Sequence, residues 1–394
     1  MYSRLNRRRL LSYGLYGLGV LLGNSLLLSC GNSSSGRGGV ANVSRLGDPD
    51  ENGLRLPTGF SSRIVARSNE SPLPGTSYVW HSAPDGGATF AAPDSGWIYV
   101  SNSEMGANTG GAGALRFDAN GNLIDAYPIL EGTSRNCAGG PTPWGTWLSC
   151  EEISTGQVWE CDPLGQQVPM VRSALGTFMH EAVTVDSNLG QLYLTEDEPN
   201  GRFYRFTPDF LMPSGFPDLS SGKLEVAEIL PAPQGGVVWH TVLDPDAASL
   251  PTRLQVPESS VFNGGEGVWY HKGTVYFSTK GDDRIWLYGI AEQSISIFYD
   301  AGFFSDPVLT GVDNITVSPT GDVLVAEDGG DMQIVALTTG GDILPIVQVT
   351  GHSNSEITGP AFSPSGNHLY FSSQRGVTGS AEGGITFEVS GPFF

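Results

Sequence analysis

Charge is scarce in this sequence: only 15% of its 394 residues are Asp, Glu, Lys or Arg, against roughly a quarter in an ordinary soluble domain. Basic residues are scarcer still, 20 against 41 acidic, for a net charge of −21. A surface that negative repels phosphate backbones, which excludes nucleic acid as a partner. Beyond the N-terminus no long stretch carries apolar residues at helical spacing, which excludes a mainly helical fold. A Gly-x-Ser-x-Gly element is also missing, and the six histidines are scattered, so a Ser-His-Asp hydrolase has no support. Cysteines number four. If Cys30 is taken by a lipid, the remaining three cannot all pair. Cys150 and Cys161 are spaced for a small disulfide loop, which leaves Cys137 as a free thiol or a ligand.

What is abundant is glycine and proline, 54 and 26 residues, punctuating short runs such as Trp97-Ile98-Tyr99-Val100 and Asp322-Val323-Leu324-Val325. That pattern predicts an all-β chain. The first thirty residues stand apart, because Arg7-Arg8-Arg9 precedes an apolar stretch from Leu10 to Leu28. Residues 1–30 are therefore expected to be an export signal of twin-arginine type. Ser29-Cys30 followed by Gly31-Asn32-Ser33-Ser34-Ser35-Gly36 makes Cys30 the expected lipidation site, with 31–55 as a flexible linker. Cleavage without a lipid and a retained anchor are the alternatives. Removing the signal leaves 16 basic and 41 acidic residues, a net charge of −25. The expected location is periplasmic or at the cell surface, with the membrane met only through an N-terminal lipid or anchor.

A repeat organises the rest. A turn glycine followed by a β-run recurs at Gly96, Gly145, Gly190, Gly273, Gly321 and Gly366, at intervals of 49, 45, 83, 48 and 45 residues. A period near 45 suits the four-stranded blade of a propeller. The expectation is a six-bladed β-propeller over 56–394, with an insertion at about 207–260 in the long interval.

Acids fall at two places in that repeat. One set follows the β-run: Glu104, Glu151-Glu152, Glu196-Asp197 and Glu327-Asp328. The other lies seven to nine residues before the glycine: Cys137, Glu181, Glu266 and Asp313. Equivalent positions in a radial array converge on its axis. Carboxylates gathered there raise one another's pKa and need cations to stay ionised together. Oxygen donors suit calcium, while a thiolate suits a softer metal such as iron or zinc. His180, beside Glu181, is a further candidate ligand or partner of a ligand.

The run Asn136-Cys137-Ala138-Gly139-Gly140-Pro141-Thr142-Pro143-Trp144-Gly145-Thr146-Trp147-Leu148-Ser149-Cys150-Glu151-Glu152 resembles the PhoX family of secreted alkaline phosphatases. The resemblance continues through His180-Glu181, Gly265-Glu266-Gly267-Val268-Trp269-Tyr270, Asp313-Asn314-Ile315 and Leu324-Val325-Ala326-Glu327-Asp328. It implies a metal-dependent hydrolase of phosphate monoesters, with iron and calcium in the propeller channel. The implied ligands are Cys137 to iron, then Glu151 or Glu152, Glu181, Glu266, Asp313 and Glu327, with Glu104 matching more weakly. Glu196 joins them by its place in the repeat.

One position departs from the family pattern. Full-length members carry Arg-Pro just before the glutamate that is Glu266 here, and that arginine contacts the substrate phosphate. This chain has Gly264-Gly265. Lys280, Arg202 and Arg284 are the candidates to replace it, and Lys280 with His180 make up the expected substrate-binding pair for a small phosphorylated substrate. Two other readings stand beside this one: a non-catalytic, metal-stabilised propeller binding a ligand or protein partner, and another metal-dependent hydrolase such as a lactonase.

Overall fold

The computed structural model describes residues 39–40 and 43–394. The expected export signal and Cys30 lie outside the described residues, as do 31–38, 41 and 42. No described helix is long and apolar enough to cross a membrane.

All regular structure of any length is antiparallel β, interrupted by five three-residue 3₁₀ turns among the described residues. The expected six separate blades are not what the hydrogen bonds build. Five sheets form: four of blade size, with five, four, four and four strands, and one of nine strands. The region expected as an insertion makes the difference. It supplies the strand Gly222–Leu230, and then Gly235–Thr241, whose first two residues pair with Ile295 and Ser294 of the next strand group. A Cβ on Gly235 would run into the Leu230 carbonyl, so a side-chain-free residue permits the chain to turn there and weld two groups into one sheet.

Leu54–Arg55 and Ser61–Arg67 pair with Ile343–Val349 and Ile385–Ser390, so the start of the chain completes two sheets formed near its end. Within the span 31–55 expected as a linker, Val40 and Leu54 are fully buried and Leu54 is bonded to the sheet. Arg63 grips the buried Glu388 across this seam at 2.6 Å. Against the cost of burial, hydrogen bonds from His368, Arg63 and Tyr370 hold that carboxyl down to about 2.

Six strands lie innermost: Pro84–Ala91, Asn136–Pro141, His180–Val185, Gly265–His271, Val312–Val317 and Ile357–Phe362. Each touches the next, and the last touches the first, so they close a ring. Crowding at the axis demands small residues; a Cβ on Gly140 would overlap the Val183 carbonyl of the neighbouring strand. Apolar side chains fill the spaces between successive strand groups, for example Tyr99 stacked on Tyr370 between two sheets and Phe203 on Phe277 between the two groups joined in the nine-stranded sheet.

Cys150 and Cys161 do not form the anticipated disulfide. Both are free and buried, in separate apolar cores.

Candidate metal centre

Every inner strand breaks its ladder near its first residue. The register shifts fall between Pro84 and Gly87, Asn136 and Gly139, His180 and Val183, Gly265 and Val268, Val312 and Ile315, and Thr358 and Ala361. A bulge places two residues opposite one and re-aims a side chain. The residue just after the first of each pair is Asp85, Cys137, Glu181, Glu266, Asp313 and Gly359. The second strand of each of the first five hairpins contributes the residue one past the partner of that first position: Glu104, Glu152, Asp197, Lys280 and Asp328; in the last hairpin Gln374 stands two past the partner, Ser372.

These side chains converge in four overlapping groups, with ligand atoms within 4.8 Å of one another: Cys137, Glu152 and Glu181; Glu181, Glu266 and Asp313; Asp85, Glu104 and Glu356; and Asp313, Asp328 and Glu356. Of the residues expected from the sequence, Cys137, Glu152, Glu181, Glu266, Asp313 and Glu104 fall in a group. Glu151, Glu196 and Glu327 do not. Their carboxylates accept from backbone N–H groups of neighbouring loops, Glu151 from Ser134 and Gln157, Glu196 from Arg202, and Glu327 from Thr310 and Gln333. Glu196 also accepts from the Tyr204 hydroxyl at 2.8 Å and meets Arg253 at 3.3 Å.

Asp85 and Glu356 escaped the sequence reading. Asp85 lies eleven residues before its repeat glycine and Glu356 ten, outside the seven-to-nine window, because the first hairpin is longer and the last draws its acid from before the strand. The first inner strand, with eight residues against six in most others, is the signal that would have found Asp85.

The electrostatics of the groups follow from burial. Burial first, then the charges of Glu104 and Asp197, pushes Glu152 up to about 8. Asp313 is raised to about 7 by burial despite Lys280, with Asp328 adding to the rise. Asp85, Glu181, Glu266 and Glu356 are driven well above the usual carboxylate range, by burial and then by neighbouring carboxylates, Asp313 acting on all four. The Cys137 thiol is raised for the same two reasons. Glu181 is the extreme case: it is fully buried, and neither carboxylate oxygen has a hydrogen-bond partner. An orphaned acid shared by two donor groups is what a cation would complete, so these residues fit a metal.

The substrate-binding candidates separate clearly. Lys280 Nζ reaches into the centre, 2.8 Å from Glu266, 3.6 Å from Asp328 and 3.9 Å from Asp197. His180 does not. Its ring is buried against Phe178, Nε2 bonds to the Gly176 carbonyl at 3.0 Å, and burial pushes its pKa down to about 4. Arg202 is tied to Ser259 and the Asn200 and Gly201 carbonyls, and Arg284 to Asp282 and Asp300.

The family model described as "Alkaline phosphatase PhoX" matches residues 97–159, 154–285 and 291–376. The fold is shared with Pseudomonas fluorescens PhoX, solved in complex with vanadate, a transition state analogue. The TM-score is 0.71 at 15% identity, covering 89% of this chain and 97% of that one. A Bacteroides thetaiotaomicron protein of unknown function superposes with a TM-score of 0.51 at 10% identity, covering 88% and 83%. No curated protein sequence matches the chain. With most of its length matched by that family model, this chain belongs to the PhoX family of alkaline phosphatases.

Proposed function

We propose that this protein hydrolyses phosphate monoesters outside the cytoplasm, using iron and calcium held at the convergence of the inner strands. The single observation behind this reading is the fully buried, unpartnered Glu181 shared between a thiolate-containing group and an all-carboxylate group. Cys137, Glu152 and Glu181 offer the softer donor set, suited to iron. Asp85, Glu104, Asp328 and Glu356 offer oxygen alone, suited to calcium. Bound metals would supply the charge that polarises phosphoryl oxygens and activates an oxygen nucleophile.

The chain's own residues have three tasks. The carboxylates hold position through the bulges and through donors such as Asn314, whose amide bonds Asp313 at 2.7 Å. Lys280 brings an ammonium to where a phosphoryl group would sit, in place of the missing arginine. Position 264 is poorly suited to that arginine, because its φ of +66° is a conformation that long side chains rarely adopt, and a Cβ there would lie 3.2 Å from Asp197. The neutral, buried His180 ring packs on Phe178 directly before Glu181 and so orients the strand that carries it.

The decisive experiment is metal analysis of the purified protein alongside a phosphomonoester assay. Iron and calcium with turnover are expected, and Cys137→Ala should remove the iron and lower turnover by at least about a hundredfold. Unchanged iron content in that variant would refute the thiolate assignment. Calcium without turnover would favour a metal-stabilised binding protein, the reading that the arginine-free Gly264-Gly265 keeps in play. Export and lipidation at Cys30 belong to the same proposal, and a mass of the mature protein consistent with a diacylated Cys30 tests them.

A further inference from the structure

The four donor groups differ in what already faces them. Glu181 is orphaned, whereas Asp85, Glu104 and Glu356 are saturated by the protein itself. Arg135 Nη1 lies 2.8 Å from Glu104, Arg375 Nη2 lies 2.7 Å from Glu356, and the Gln374 amide donates to Asp85 at 2.5 Å and to Glu104 at 2.9 Å. Across Glu356, the group with Asp313 and Asp328 is bordered by Lys280.

These three cations share a posture. The side chains of Arg135, Arg375 and Lys280 are 54%, 35% and 37% exposed, while the carboxylates they hold, Glu104, Glu356 and Glu266, are 13%, 8% and 2% exposed. Each cation therefore sits on the solvent side of a buried donor. Lys280 also stands beside Gly264: its backbone N–H donates to the Gly264 carbonyl at 2.8 Å, and its Cβ is 3.8 Å from where a Cβ on residue 264 would be. Arg135 has φ of +48°, a region sparsely used by long side chains and tolerated mainly at functional sites. That turn lets its carbonyl accept from Glu152 while its guanidinium reaches Glu104.

We infer that Arg135, Arg375 and Lys280 form an oxyanion-binding rim, held by donor carboxylates of the centre and set free for a phosphate dianion when a divalent cation takes those carboxylates over. A carboxylate cannot give its full charge both to a guanidinium and to a divalent cation. Cation binding below therefore leaves three partly exposed positive heads undercompensated on adjoining donor groups, which Glu356 links. Guanidinium forks match the oxygens of a phosphoryl group, and an ammonium adds a point charge. The rim thus makes anion binding follow metal binding. The ligand class rests on the function proposed above, but the coupling between the two ions does not depend on turnover.

The test measures two affinities of the full-length chain by titration calorimetry: calcium for the metal-stripped protein, and inorganic phosphate for the calcium-saturated protein. Arg135→Gln, Arg375→Gln and Lys280→Gln should move them in opposite directions. Calcium should bind about two- to fivefold tighter, because a partly exposed cation no longer competes for the donor carboxylate. Phosphate should bind about tenfold weaker, because a charge-assisted contact is lost. Arg135→Lys should recover part of the phosphate affinity, which a folding defect would not allow. Variants with native melting curves that leave both affinities unchanged, or weaken both together, would overturn the inference. Opposite shifts in a protein without phosphomonoesterase turnover would sink the proposed function and leave the rim standing. Turnover with phosphate affinity unchanged in all three variants would do the reverse.

Discussion

Glu181→Gln is expected to abolish tight metal binding and, in the same protein stripped of metal, to raise stability. Both effects come from one fact: a fully buried carboxylate with no hydrogen-bond partner on either oxygen, facing Glu152, Glu266 and Asp313. With metal bound, that carboxylate is the donor common to two groups, and an amide carries no charge to replace it. Without metal, folding at neutral pH must either bury the charge beside its like or protonate a group that is ionised in the unfolded chain. Glutamine avoids both. The stabilisation of the metal-free protein should be about 1–3 kcal/mol at pH 8 and vanish near pH 4.5, where the unfolded carboxyl is itself half protonated. Metal content by plasma emission and melting in chelator at the two pH values check this. Retained metal, or a lower melting temperature at pH 8 in chelator, would count against the centre as drawn.

The metal-free wild-type protein should lose stability as pH rises from about 4.5 to 8, and divalent cations should restore it most at the alkaline end. Glu152 is raised from 4.5 to about 8 and Asp313 from 3.8 to about 7, both chiefly by burial. Between the ordinary and the raised values, the folded protein holds protons that the unfolded chain has released. Stability therefore falls with pH across that window, by up to about 1.4 kcal/mol per pH unit for each group, and levels off above it. Because the acids titrate against one another, the sum is smaller than independent groups would give. A melting temperature lower by about 5–10 °C at pH 8 than at pH 5 in chelator is expected for a chain of this size. Calcium should close most of that gap at pH 8 and little of it at pH 5. A metal-free protein that melts higher at pH 8 would contradict the account.

How far the sequence could be read depended on whether a feature repeats. The spacing of Gly96, Gly145, Gly190, Gly273, Gly321 and Gly366 marks hairpins that share one geometry, so acids at matching offsets could be named before any coordinates. Cys137 stood out because a thiol occupies an acid's place. Choosing within Glu327-Asp328 was harder. Adjacent residues at a strand end point different ways, and here the first bonds loop amides while the second joins Asp313 and Glu356.

The sequence alone determined the all-β structure and the hairpin period and set Cys137, Glu181, Glu266 and Asp313 at one recurring offset, because each follows from a local pattern repeated along the chain, but it left Glu151 and Glu152 undivided. Tertiary structure decided the rest. It joined two strand groups through the two-residue pairing of Gly235-Gly236 with Ser294-Ile295, a contact with no period to betray it. It also brought Asp85 beside Glu356, 271 positions later, and put Arg135, Arg375 and Lys280 over the acids. Ring closure sets those distances, and a closed ring makes neighbours of residues that no spacing along the chain relates.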